Sequence, residues 1–186
     1  QKNYYKNKKA FKVEQNNFYP CLGELINYLN GDYYGGLDVG FDYGMLQKLR
    51  NHTDFTTKYS SPDIGSSCTA LGVYNALKAG VKFKLNKDSL KGLKIAIKGV
   101  GKVGYQLANY LLDDGAKLIV ADKNFDKINF SNNLQSKLTN EIKNIDHNEI
   151  HKEDVDIYSP CALGNDIRLS RIKELKCKII CGAANN

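Results

Sequence analysis

The sequence predicts an α/β chain built on a parallel sheet covered by helices on both faces. Three observations predict it. Short apolar runs at Lys94–Lys98, Lys117–Asp122, Asp156–Ser159 and Lys178–Gly182 alternate with segments of helical periodicity. The first run opens directly onto Gly99, Gly101 and Gly104, the G-x-G-x-x-G spacing of a strand-to-helix turn. The second run ends in an acid, Asp122, about 20 residues past Gly101, where such turns keep a carboxylate.

In chain order, Leu22–Leu29 reads as a helix with Leu22, Leu25, Ile26 and Leu29 on one face, stopped by Asn30-Gly31. Tyr33–Phe41 is an aromatic, glycine-interrupted segment carrying Asp38, and Met45–Arg50 reads as a short helix. A polar hinge, Tyr59–Gly65, precedes a helix over Thr69–Val81, whose apolar positions are Leu71, Val73, Tyr74, Leu77 and Val81. Ile95 and Ile97 are the buried teeth of the next strand, and Tyr105–Leu112 repeats apolar residues at helical spacing. After Asp122 the expected elements are a helix around Asn133–Lys143, a strand near Ile142–Ile145, and a small helix around Arg171–Leu175 between the last two strands.

The glycine turn carries the chemistry. Gly99 permits the tight turn, Gly101 lets backbone approach a pyrophosphate, and Gly104 allows the helix to pack on the strand. The residues from Gly99 through Val100, Gly101, Lys102, Val103 and Gly104 to Tyr105 therefore form a candidate dinucleotide site. The helix N-terminus behind them offers N–H groups and partial positive charge to the anion. Asp122 is placed to accept from ribose hydroxyls and to repel a 2′-phosphate, which favours NAD, while Lys123 beside it softens that repulsion. The fold class is accordingly a Rossmann-type parallel sheet domain.

Composition narrows the alternatives. With 186 residues and 42% hydrophobic content, the chain holds one domain, or one domain and part of another, and no run is long enough to span a membrane. The net charge is +7, but only Arg50, Arg168 and Arg171 are arginine, and the lysines are spread along the whole chain. The single cluster is Lys2, Lys6, Lys8 and Lys9 beside Tyr4 and Tyr5; a solvated lysine surface explains it better than a nucleic-acid face. The five cysteines show no C-x-x-C and no zinc spacing, which fits reduced thiols in the cytoplasm. Cys161 has no histidine base near it in sequence and reads as a small buried apolar residue. His147 and His151 lack the H-E-x-x-H order, and the expectation is a polar loop with no metal.

Six segments, in order and at matching spacing, resemble the amino-acid dehydrogenases that act on glutamate, leucine, phenylalanine and valine, most closely the leucine dehydrogenase branch. They are Leu29–Gly40 (LNGDYYGGLDVG), Thr53–Thr56 (TDFT), Thr69–Ala79 (TALGVYNALKA), Leu90–Gly101 (LKGLKIAIKGVG), Asp156–Gly164 (DIYSPCALG) and Lys178–Asn186 (KIICGAANN). The resemblance implies NAD-dependent oxidative deamination of an apolar L-amino acid to the 2-oxo acid and ammonia. It implies that residues 1–67 are the end of a substrate (dimerisation) domain and residues 68–186 an NAD-binding domain truncated at its C-terminal end. The partners it implies are an amino acid and its 2-oxo acid, with a homo-oligomer for the full-length protein.

The same resemblance assigns roles by position. Asp38, in Leu-Asp-Val-Gly, matches the acid that exchanges protons with the substrate amine; read from local sequence alone, it is an Asp of a turn beside Gly40. Thr69, Cys161, Ala162, Leu163 and Asn185 match residues around the nicotinamide and its ribose. The family's general-base Lys follows a glycine-rich run that this chain lacks, and counting back from Asp38 lands within a residue of Lys2. The upstream substrate-binding residues of the family are also absent. Either the chain is part of a full enzyme or it is a short relative that keeps nucleotide binding without catalysis. An apolar sheet edge left open would favour the former.

Overall fold

The computed structural model describes residues 8–38, 40–59, 61–124 and 142–185. Two compact units divide the chain, Gln1–Gly65 and Ser66–Asn186. Lys2 and the helix expected at Asn133–Lys143 fall in or largely in segments outside the described residues.

In the first unit, α1 (Lys8–Tyr28) and α2 (Tyr43–Arg50) bury Tyr19, Ile26 and Leu49 together, with Leu22, Phe41, Met45 and Phe55 packed around them. α1 is longer than the sequence pattern predicts. It continues through Pro20, although proline lacks an N–H and crowds the preceding turn. The helix stops where expected, with Asn30 and Gly31 at φ 46° and 96°. α2 begins at Asp42, whose carboxylate accepts the Met45 N–H at 2.9 Å. Thr53 is buried and donates its hydroxyl to Asn27 at 2.6 Å, tying the following loop to α1.

The second unit holds a parallel five-stranded sheet. Its strands are β1 (Lys94–Lys98), β2 (Lys117–Ala121), β3 (Ile142–Asn144), β4 (Ile157–Pro160) and β5 (Ile179–Ile180), in the order β3-β2-β1-β4-β5. The α/β class and the parallel sheet are as the sequence predicts. Side chains alternate between the faces of β1. Ile95 and Ile97 join Leu118, Val120 and Ile157 beneath α3 (Ile64–Leu85) and α4 (Lys102–Asp113). Ala96 enters the opposite core with Tyr158, Ile150 and Val155. α4 presents Leu107, Ala108, Leu111 and Leu112 to the sheet; each leucine so buried contributes about 1.5–3 kcal/mol.

One element is displaced from its expected place. The small helix, α5, spans Leu169–Ile172 rather than Arg171–Leu175. Its own apolar residues Leu169 and Ile172 are exposed, whereas Leu175, in the turn after it, packs against the second core. Leu175, expected to end the helix, instead lies in the turn that follows it.

Candidate functional site

The strand order reverses between β1 and β4, so the chain leaves these neighbouring strands in opposite directions and opens a crevice at their carboxyl ends. The glycine turn lies there. Gly99 has φ 91°, and a Cβ at this position would come within 2.6 Å of the Ala162 amide nitrogen. Both facts demand glycine. Gly104, in the first turn of α4, would carry a Cβ 2.0 Å from the Gly99 carbonyl oxygen. At Gly101, by contrast, a Cβ would meet nothing within 4 Å. Gly101 is also the N-cap of α4 and has no side chain to satisfy the first-turn N–H groups. The turn thus packs tightly inward and is open outward, as an anion cradle requires.

Asp122, just past β2, is fixed against this turn. One carboxylate oxygen accepts the Val100 N–H at 2.8 Å and the other the Asn124 N–H at 2.8 Å. An ionised carboxylate has about four acceptor positions, so capacity for hydroxyl donors remains. Lys123 follows on the exposed turn.

The loop beyond β4 closes the other side of the crevice. The Cys161 N–H donates to the Lys98 carbonyl at 2.7 Å, and Ala162 abuts Gly99. Leu163 is exposed, and the Asn185 carbonyl accepts the Asn165 N–H at 3.0 Å. Burial pushes the Cys161 thiol up, against any role as a nucleophile at neutral pH. Its sulfur lies 3.6 Å from the Ser159 hydroxyl.

Four residues of this region are not visible as a group in the sequence: Lys98, Tyr158, Asp166 and Arg171. Lys98 ends β1 on the face away from α4, only 8% exposed, and its Nζ lies 2.5 Å from Asp166 Oδ1. Tyr158 donates its hydroxyl to Asp166 Oδ2 at 2.5 Å, and the Arg171 guanidinium also pairs with Asp166. Burial by itself would raise the Asp166 carboxyl; the hydrogen bonds from Lys98 and Tyr158, with the Lys98 and Arg171 charges, outweigh it and hold the group below its ordinary value. The Tyr158 hydroxyl is pushed up, first by burial and then by its bond to Asp166. A lysine at the end of an otherwise apolar buried strand was the available signal, since such a charge requires a partner.

The Glutamate/Leucine/Phenylalanine/Valine dehydrogenase family model matches residues 63–186, well over half of the chain. The chain belongs to this family. It is 39% identical over 181 residues to leucine dehydrogenase of Bacillus subtilis, covering 94% of this chain and 48% of that protein. It is 35% identical over 169 residues to phenylalanine dehydrogenase of Thermoactinomyces intermedius, covering 89% and 45%. Among solved structures, L-tryptophan dehydrogenase from Nostoc punctiforme superposes with a TM-score of 0.70 at 28% identity, over 90% of this chain and 47% of that one. The hetero-hexameric glutamate dehydrogenase of Thermus thermophilus shares the fold, with a TM-score of 0.59 at 16% identity over 82% and 41%. The chain spans about half the length of these relatives.

Within this family member, the structure brings together the glycine turn, Asp122 and the Cys161–Gly164 loop. Thr69 lies on the exposed side of α3. Asp38 is exposed in the first unit, where its main chain closes a turn with Phe41: Asp38 N–H to Phe41 O at 3.2 Å and the reverse at 3.0 Å. The two histidines take separate partners, His151 with Glu174 at 2.6 Å and His147 with Asp146 at 3.6 Å. Among the described residues, no group of three or more His, Cys, Asp or Glu side chains converges as metal ligands would, and no helix is long and apolar enough to cross a membrane.

Proposed function

We propose that the chain provides the end of the substrate domain, residues 1–67, and the NAD-binding domain, residues 68–186, of an enzyme that oxidatively deaminates an apolar L-amino acid. The observation that carries this reading is the Asp122 carboxylate anchored by the Val100 amide against a glycine turn that is open beyond Gly101. The relatives named leucine and phenylalanine dehydrogenase support the amino-acid substrate. The full-length protein is then a cytoplasmic homo-oligomer whose partners are an amino acid and its 2-oxo acid.

The site would hold a nicotinamide cofactor, which would supply the acceptor for hydride from the substrate's α-carbon. Gly99–Tyr105 hold the pyrophosphate through main-chain N–H groups and the start of α4. Asp122 accepts from the adenosine ribose hydroxyls. Ala162, Leu163, Asn185 and Thr69 line the nicotinamide end, with Cys161 as packing, while Lys123 faces the ribose side. Asp38 exchanges a proton at the substrate nitrogen, and Lys2 stands nearest in sequence to the general base.

The test is a pair of fluorescence titrations with NADH and NADPH. NADH is expected to bind roughly tenfold more tightly or better, because a carboxylate beside a 2′-phosphate costs about 1 to 4 kcal/mol at contact distance. Asp122→Ser is expected to narrow the difference and to weaken NADH as well, since it frees the Val100 amide. Equal or reversed affinities in the unaltered protein would reject the assignment of Asp122.

A further inference from the structure

We propose that Lys98 and Asp166 are positioning residues that clamp the Cys161–Gly164 loop onto the glycine turn and so set the surface on which the nicotinamide half of the cofactor rests. The inference builds on the cofactor reading above. Its basis is that one residue of β1 holds the loop at both ends. The Lys98 carbonyl takes the Cys161 N–H at 2.7 Å where the loop leaves β4. The Lys98 ammonium takes Asp166 at 2.5 Å just after the loop has passed Gly164. Between these anchors Ala162, Leu163 and Gly164 are exposed, and Ala162 abuts Gly99. The Asp166 end is held in turn by the Tyr158 hydroxyl, while the Asp166 main-chain carbonyl accepts the Arg168 N–H at 3.1 Å.

Stability alone is a poor reason for such a cluster. Among the described residues, no other ion pair has both side chains so deeply buried. Taking two charges out of water costs as much as their attraction returns, and apolar residues of similar volume commonly serve stability as well or better. What apolar residues do not supply is direction. A short ionic contact fixes where the loop returns to the sheet, whereas an apolar contact tolerates sliding. The cluster sits where that direction matters, one residue before the glycine turn and two residues after Gly164.

The experiment uses the full polypeptide that carries this sequence. Lys98→Met and Asp166→Leu are made singly and then together with Tyr158→Phe, so that no buried hydroxyl is left without its acceptor. The single variants are expected to melt at lower temperature: Asp166→Leu strands the Lys98 ammonium, and Lys98→Met takes away one of the two cations that offset the buried Asp166 carboxylate. The apolar triple variant is expected to recover most of the melting temperature, since the one charge it leaves without a partner, Arg171, is partly exposed to water. It is nevertheless expected to bind NADH about tenfold more weakly and to exchange the Cys161–Gly164 amides faster in the absence of cofactor. Asp166→Asn keeps the shape and most hydrogen bonds, so it should fold and show the same two changes at smaller size. The clamp is overturned if the triple variant, or Asp166→Asn, keeps both the NADH affinity and the loop exchange of the unaltered protein. Failure of the unaltered protein to bind either NADH or NADPH would instead remove the cofactor reading, and loop exchange without cofactor would still decide whether the pair fixes the loop.

Discussion

Gly104→Ala is expected to remove NADH binding almost entirely while leaving a folded, less stable protein. The added methyl would lie 2.0 Å from the Gly99 carbonyl oxygen, far inside van der Waals contact and against main chain that has no rotamer to yield. α4 then has to draw back from β1. Overpacking of this kind costs about 1–3 kcal/mol, which a core of this size survives. The site does not survive it, because the first turn of α4 and the Gly99–Gly101 main chain are the parts that meet the pyrophosphate, and both shift together. Gly72→Ala is the control. A Cβ at Gly72 meets nothing within 4 Å in mid-α3, and there alanine is favoured over glycine by about 0.5–1 kcal/mol. NADH fluorescence titration and thermal melting on both variants decide the matter. An unchanged NADH affinity in Gly104→Ala would show that the glycine turn is not the pyrophosphate site.

Asp38→Asn in the full-length enzyme is expected to lower kcat by about 10²–10⁴-fold, the usual contribution of a positioned acid or base, with NADH affinity and melting temperature nearly unchanged. The turn that Asp38 forms with Phe41 is closed by main-chain hydrogen bonds in both directions, and these persist with asparagine in place. A residue needed only for that turn would therefore leave turnover intact. A residue that must give and take a proton would not, since a side-chain amide is neither protonated nor deprotonated near neutral pH. Measuring kcat, NADH affinity and melting temperature on one preparation separates the two roles, and a near-normal kcat would return Asp38 to the status of a turn residue.

What the sequence makes legible is what is local in it. β1, α4 and β2 can be read from alternation at Ile95 and Ile97, the spacing of three glycines, and the apolar period through Leu107 and Leu111, because each pattern sits within one element. The anchoring of the Val100 amide by Asp122 was half legible: the acid was in place, but not its second partner on the turn itself. The cluster of Lys98, Tyr158, Asp166 and Arg171 was not legible, because its members come from β1, β4 and the loop and helix beyond, and only the parallel pairing of β1 with β4 brings them together. The early start of α1 lay outside the apolar face read at Leu22–Leu29, and the helix runs through Pro20, whose local cost is outweighed by burial of Tyr19 and Ile26 on either side of it. α5 was misplaced because Leu175 is apolar for the sake of the second core and not of its own helix.

The short contact between Lys98 and Asp166 also constrains how this protein can change over generations. Loss of Lys98 alone leaves Asp166 to Arg171 and Tyr158, but loss of Asp166 alone strands the Lys98 ammonium in a dry place, a defect of about 3–5 kcal/mol, which is a large part of what holds a domain of this size together. A lineage cannot drift through that intermediate one step at a time unless something else first stabilises the fold. The order of loss is therefore constrained: the cation at 98 goes before, or together with, the acid at 166. Among homologous chains, those without the acid at 166 are expected to lack a cation at the position of Lys98 as well.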